Sequence, residues 1–285
     1  MKGINYIKKK GFDYGSLKAD SLNRLLKKYN PLFLEEYLSP DFFVPNIIRI
    51  VDDAVRRDIE VCKGAIGWRE NRKGTEVLCL YDEFISECGL QFVPMPICDE
   101  VYYIDPFDRK RFIKLDCVFK QAHEEKLAEL EHIAFSLGAK SCVVEIEEKE
   151  ITHEKKKKAM SGKDSKKGVA ISESYETELS SDSSMKCISR SESKFKGSEV
   201  AVVPTLKWFA HDNNIKNLID SRCNNANGIT SKSLTLSGAT SATISRKAAC
   251  SVDAAVADMG ISQNYSMEDK SVKENATVIK YYLEF

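Results

Sequence analysis

Between residues 168 and 197 the chain reads GVAISESYETELSSDSSMKCISRSESKFKG, and alternate residues fall into two unlike sets. The odd positions run Val169, Ile171, Glu173, Tyr175, Thr177, Leu179, Ser181, Ser183, Met185, Cys187, Ser189, Ser191, Ser193 and Phe195, with Glu173 their one charge. The even positions collect Glu176, Glu178, Asp182, Lys186, Arg190, Glu192, Lys194 and Lys196. A period of two sustained this far specifies β-structure with two different faces. The stretch reads either as one long strand or as a hairpin turning at 180–184, and the hairpin is the preferred reading. It sets Leu179 opposite Met185, Thr177 opposite Cys187 and Val169 opposite Phe195, all on one face.

Just before this stretch lies EKKKKAMSGKDSKK, within an expected flexible basic loop at 153–168. Lys155, Lys156, Lys157, Lys158, Lys163, Lys166 and Lys167 stand against Asp164 alone, seven positive less one negative, or +6. The whole chain has a net charge of zero, so any affinity for a polyanion must be local. One reading of such a run is a solvated loop; another is contact with an anionic surface. Each lysine near an anionic lipid surface contributes on the order of 1 kcal/mol. Nucleic-acid recognition normally adds stacking aromatics, and none occurs between His153 and Tyr175. Lipid is therefore the preferred partner, and nucleic acid is not expected.

Around these segments the pattern is that of an α+β protein: a mainly antiparallel twisted sheet with packed helices and a helical N-terminal layer. Residues 1–60 form the expected helical region. Leu17, Leu22, Leu25 and Leu26 recur at helical spacing, and Ile47, Ile48, Ile50, Val51 and Val55 supply a later apolar stripe. Residues 61–285 form the α+β domain. Strands are expected at 61–69, 75–82, 91–95, 100–104, 111–119, 141–152, 230–244, 261–269 and 274–285. Helices are expected at 121–137, stopped by Gly138, at 205–222, and after a Ser245 cap. A chain of 285 residues is long enough for a sizeable core.

Nine cysteines, scattered and odd in number, read as mostly buried free thiols in a reducing, cytoplasmic compartment. Neither a secretory leader nor an apolar run of spanning length is evident. Several chemistries are excluded by spacing. Ser161-Gly162-Lys163-Asp164 lacks the leading glycine and the final Ser or Thr of a phosphate loop. There is no GxGxxG, no Gly-x-Ser-x-Gly elbow, no Cys-x-x-Cys and no HExxH, so no catalytic residue, metal or cofactor is assigned.

Two alternatives stay open. One is a PD-(D/E)xK-type nuclease, with Asp116 on one strand and Glu147-Glu148-Lys149 on its neighbour holding Mg²⁺. The other is a non-enzymatic scaffold whose exposed hairpin adds a strand to a partner.

The order helix, acidic strand, basic tip and Ser-rich alternating strand, over roughly 121–197, resembles a gasdermin-type pore-forming domain. Residues 230–285 give a looser echo. The resemblance implies a soluble protein that binds anionic membrane and assembles into a β-lined oligomeric pore, released by a protease or from an inhibitory partner. On that expectation the seven lysines make first contact. Val169, Ile171, Tyr175, Leu179, Met185, Cys187 and Phe195 turn to lipid. Glu176, Glu178, Lys186, Arg190 and Glu192 line the lumen. Glu173 and the serines on the uncharged face depart from the family pattern, and no functional residue is carried over by position.

Overall fold

The computed structural model describes residues 30–55, 62–149, 185–224, 228–261 and 266–285. Along them run β1 (Pro31–Leu32), α1 (Leu34–Tyr37), β2 (Ile47–Val51), β3 (Gly67–Arg72), β4 (Thr75–Tyr81), β5 (Gln91–Val93), β6 (Val101–Ile104) and β7 (Arg111–Lys114). Then come α2 (Val118–Ser136), β8 (Ser141–Lys149), β9 (Met185–Lys194), α3 (Asn213–Cys223), β10 (Ser231–Ser237), α4 (Arg246–Asp258), α5 (Met267–Asn275) and β11 (Val278–Glu284). The mixture of helices and strands is α+β, as expected.

The chain divides into two units. The first takes residues up to Glu125 together with 243–272; the second takes 126–242 and 273–285. In the first, seven strands form a mixed sheet in the order β1-β3-β4-β2-β6-β7-β5. Most pairs are antiparallel; β2 with β4 and β5 with β7 are parallel. Both faces are buried. Ile47, Val51, Val77, Cys79 and Tyr81 pack with Ala249, Val252 and Val256 of α4 on one side. Ile48, Ile50, Leu78, Leu80, Tyr102 and Phe112 pack on the other.

This arrangement corrects one part of the expected helical layer at 1–60, the apolar stripe at 47–51; residues 1–29, with Leu17, Leu22, Leu25 and Leu26, and residues 56–60 lie outside the described residues. Residues 47–51 are an inner strand, not a helix, because IIRIV is β-branched and apolar on both faces. The break between units falls at 125/126, away from residue 60. A second correction concerns 261–269, expected as a strand. Residues 267–275 are the helix α5.

The second unit is an antiparallel sheet in the order β10-β11-β8-β9. Its buried face carries Cys142, Val144, Ile146, Leu236, Ile279, Tyr281 and Leu283. Helix α2 lies on that face: the Tyr281 hydroxyl donates to the Leu130 carbonyl at 2.7 Å, and the Ser191 hydroxyl to Glu131 at 2.6 Å. Asp212 caps α3 by accepting the N–H groups of Asn214 and Ile215, which starts that helix later than the sequence suggests.

Candidate functional site

The alternating stretch enters the described fold as β9, and its partner there is β8. Opposed pairs include Cys142 with Ser193, Val144 with Ser191, and Ile146 with Ser189. These share the face under α2. The apolar side chains come from β8, while β9 contributes serines small enough for the helix to approach. Leu130, Ile133, Ala134 and Leu137 of α2 are buried. Burial pushes the Cys142 thiol up to about 12, with the Glu131 charge adding to it. Burial likewise holds the Tyr281 phenol well above its ordinary range.

The opposite face is charged. Arg190 lies across from Glu145 and pairs with it at 2.7 Å; Glu192 and Lys194 continue the row at 3.7 Å. On β11, Lys280 reaches Glu147 at 2.5 Å and holds its proton more tightly than a free lysine, chiefly through that hydrogen bond. Arg190 and Glu192 are exposed.

A bulge breaks the alternation. The register shifts between Ile146 and Glu147, so Ser189 faces Ile146 while Cys187 faces Glu147. Ile188 is the extra residue and is exposed. Cys187 therefore leaves the serine face and stands exposed beside the charged row, and Lys186 comes opposite Glu148. This corrects the expectation that Cys187 shares one continuous face with Phe195 and that Lys186 shares the other with Arg190. Met185 opens β9 opposite Lys149. Phe195 follows the strand, half-buried, its ring 5.9 Å from that of Phe135 on α2.

The lysines at 155, 156, 157, 158, 163, 166 and 167 lie outside the described residues, as do Val169, Ile171, Tyr175, Leu179, Glu176 and Glu178. So does the expected pairing of 169–179 with 185–195. What the fold does fix is the attachment of that segment: it leaves from the end of β8 and returns at the start of β9.

The strand placement expected for the nuclease reading is not met by the described residues. Asp116 sits in a short 3₁₀ turn of the first unit, 3.2 Å from Lys114, and not in a strand. Glu147 and Glu148 belong to the other sheet, paired with Lys280 and Lys273. Among the described residues no cluster of His, Cys, Asp and Glu is arranged to hold a metal ion. Of the nine cysteines, all free, four are buried, three half-buried and two exposed, fewer buried than the sequence suggested.

Sequence reasoning missed the partner of the hairpin, α2, and a turn that is fastened to that helix. Helix α2 reads as an ordinary amphipathic helix, and only its fit on the serine face makes it a cover. Glu129 of α2 accepts the N–H groups of Lys207, Trp208 and Phe209 at 2.8, 2.7 and 3.2 Å, fastening a turn to the helix. Nearby, Lys126 is buried, 2.5 Å from Glu274 and 4.8 Å from the Trp208 ring. Desolvation lowers its pKa, opposed by the Glu274 charge. No helix of the described residues is long and apolar enough to cross a membrane. Compared with protein-family models, curated proteins and solved structures, the chain finds no match.

Proposed function

We propose that the protein binds anionic membrane from the cytoplasm and assembles there into a β-lined pore. The observation that carries this is the β8–β9 pair. Its strands hold nine and ten residues, against the 9–11 or so that a barrel strand needs to cross the hydrocarbon region. One face is apolar or small and lies under α2; the other is a ladder of charges. The connection between the strands carries the +6 lysine run. Contact begins with those lysines. Withdrawal of α2 then frees Val144, Ile146 and the serine row for lipid, while Glu145, Arg190 and Glu192 face the lumen.

The sheet edges support assembly. β9 is antiparallel to β8, β8 to β11, and β11 to β10, so the two edge strands among the described residues run in opposite directions. Placing β9 of one copy beside β10 of the next continues an all-antiparallel ring. Closure is what satisfies strand edges in lipid. Removal of a restraint, by a protease or by loss of an inhibitory partner, starts the process. A second reading rests on the same edge of β9: strand addition to a different protein, without a pore.

The test is dye release from liposomes with and without anionic lipid, on intact and lightly proteolysed protein. Leakage that requires anionic lipid and falls when the seven lysines become serine is expected. Absence of leakage from both forms, or leakage unchanged by the serine replacements, overturns the proposal. Leakage by the wild type that is abolished by Leu179→Asp separates a pore former from a passive binding module.

A further inference from the structure

On the face of the seven-stranded sheet that α4 covers, packing leaves a cavity of about 280 Å³. It lies where β2 and β4 begin and β6 ends, under the first two turns of α4. Ile47 and Val252 are buried and form its floor; Tyr103 and Ala248, half-buried, form its walls. Tyr103 stands opposite Ile47 in the β2–β6 register, and Ile47 opposite Val77 in the next pair. Regular elements, not a loop, therefore set the positions of floor and walls.

Three observations select what fits there. The first is charge. Lys247 is the one charged residue of the lining, and no carboxylate accompanies it. It is exposed and has no ion-pair partner among the described residues. A lone positive charge favours an anion over a cation. The second is hydrogen bonding. The hydroxyls at the rim are engaged: Ser245 accepts the Ala248 N–H, Ser251 donates to the Lys247 carbonyl at 3.0 Å, and Thr75 to the Ser251 carbonyl at 3.5 Å. The Tyr103 hydroxyl and the Asn46 side-chain amide have no partner among the described residues. Burial raises the Tyr103 phenol, which keeps its proton and remains a donor. With the Lys247 ammonium, these donors suit the oxygens of an anion. The third is size. An apolar cavity of roughly 150 Å³ takes up benzene, so the larger space here accommodates one ring with a short acid-bearing arm. The apolar floor favours such an organic anion over a bare inorganic one.

We propose that this cavity binds a small organic carboxylate, its single aromatic ring resting on Ile47 and Val252 and its carboxylate held by Lys247, Tyr103 and Asn46. The site is separate from the β8–β9 pair and does not depend on the pore reading.

The experiment uses the full chain and three variants, Lys247→Gln, Tyr103→Phe and Ala248→Leu, the last narrowing the cavity; each is checked for an unaltered melting curve. Phenylacetate, its neutral analogue phenylacetamide and inorganic phosphate are titrated up to about 10 mM, with binding read by saturation-transfer NMR. Phenylacetate is expected to saturate the wild type. Its affinity should fall about tenfold in Lys247→Gln and less in Tyr103→Phe, and binding should be lost in Ala248→Leu. Phenylacetamide should bind about tenfold more weakly than phenylacetate. Absence of saturable phenylacetate binding to the wild type overturns the proposal. So does phenylacetate bound equally by all three variants, which places it elsewhere on the chain. Phenylacetamide bound as tightly as phenylacetate overturns the role of the charge, and phosphate bound as tightly overturns the role of the ring. Lys247→Gln alters an exposed residue and decides the matter even where the cavity-filling variant unfolds.

Discussion

Glu129 illustrates how much one side chain holds. Its carboxylate receives three backbone N–H groups from the turn at 207–209, and that turn carries the buried Trp208 and Phe209 into the second core. Hydrogen bonds to a charged acceptor are stronger than neutral ones, and donors left without a partner are costly. Glu129→Ala should therefore lower stability by about 2–4 kcal/mol, read as a shift in the urea midpoint. Glu129→Gln keeps one acceptor oxygen and should lose clearly less. Equal midpoints for wild type and the alanine variant would show that the clamp contributes nothing. None of this was legible beforehand. In AHEEKLAELEH the glutamates look like the wet side of a helix, and the donors that claim Glu129 come from a turn nearly eighty residues away.

Among elements, those written by local chemistry were readable. Gly138 ends α2 with φ +76, and a Cβ there would sit 2.2 Å from the Ser198 carbonyl oxygen. Ser245 caps α4 by accepting the Ala248 N–H. β8 alternates because one face is covered and the other wet. The prediction that belongs here is Gly138→Ala, which combines left-handed backbone with a backbone clash. It should destabilise by about 1–3 kcal/mol, more than Gly260→Ala at φ +71, where no atom lies within 4 Å. Equal losses at the two sites, measured by chemical denaturation, would mean that the clash relaxes. Elements were misread where local signals fail. β2 is buried on both faces and shows no alternation. α5, MEDKSVKEN, has little apolar periodicity; its start is held by Asp253, which accepts the Met267 and Glu268 N–H groups at 2.9 Å from another helix. The bulge at Ile188 is equally silent, since an extra residue changes the face without changing the composition.

At the scale of the molecule, β9 was legible as part of a two-faced stretch with a basic neighbour, whereas its pairing with β8 and the helix that covers both were not. A period of two names the faces of a strand. It does not say what lies against them. The division of the chain was also hidden, because neither unit is continuous in sequence. β10 and β11 are adjacent in one sheet, yet the chain between them supplies α4 and most of α5 to the other unit. This has a consequence for biosynthesis. A ribosome delivers residues in order, and domains commonly fold as they emerge. Here the first core lacks Ala249, Val252 and Val256 until more than a hundred residues after its sheet have been made, and the second sheet lacks its inner strand β11 until residues 278–284 appear. A fragment ending at Glu125, expressed alone, should accordingly be insoluble or show no cooperative melting transition, and a sharp one would refute this. Both cores close almost together, once residues 249–284 have been made, so the charged and apolar faces of the hairpin are made well before the strand that sits beside them.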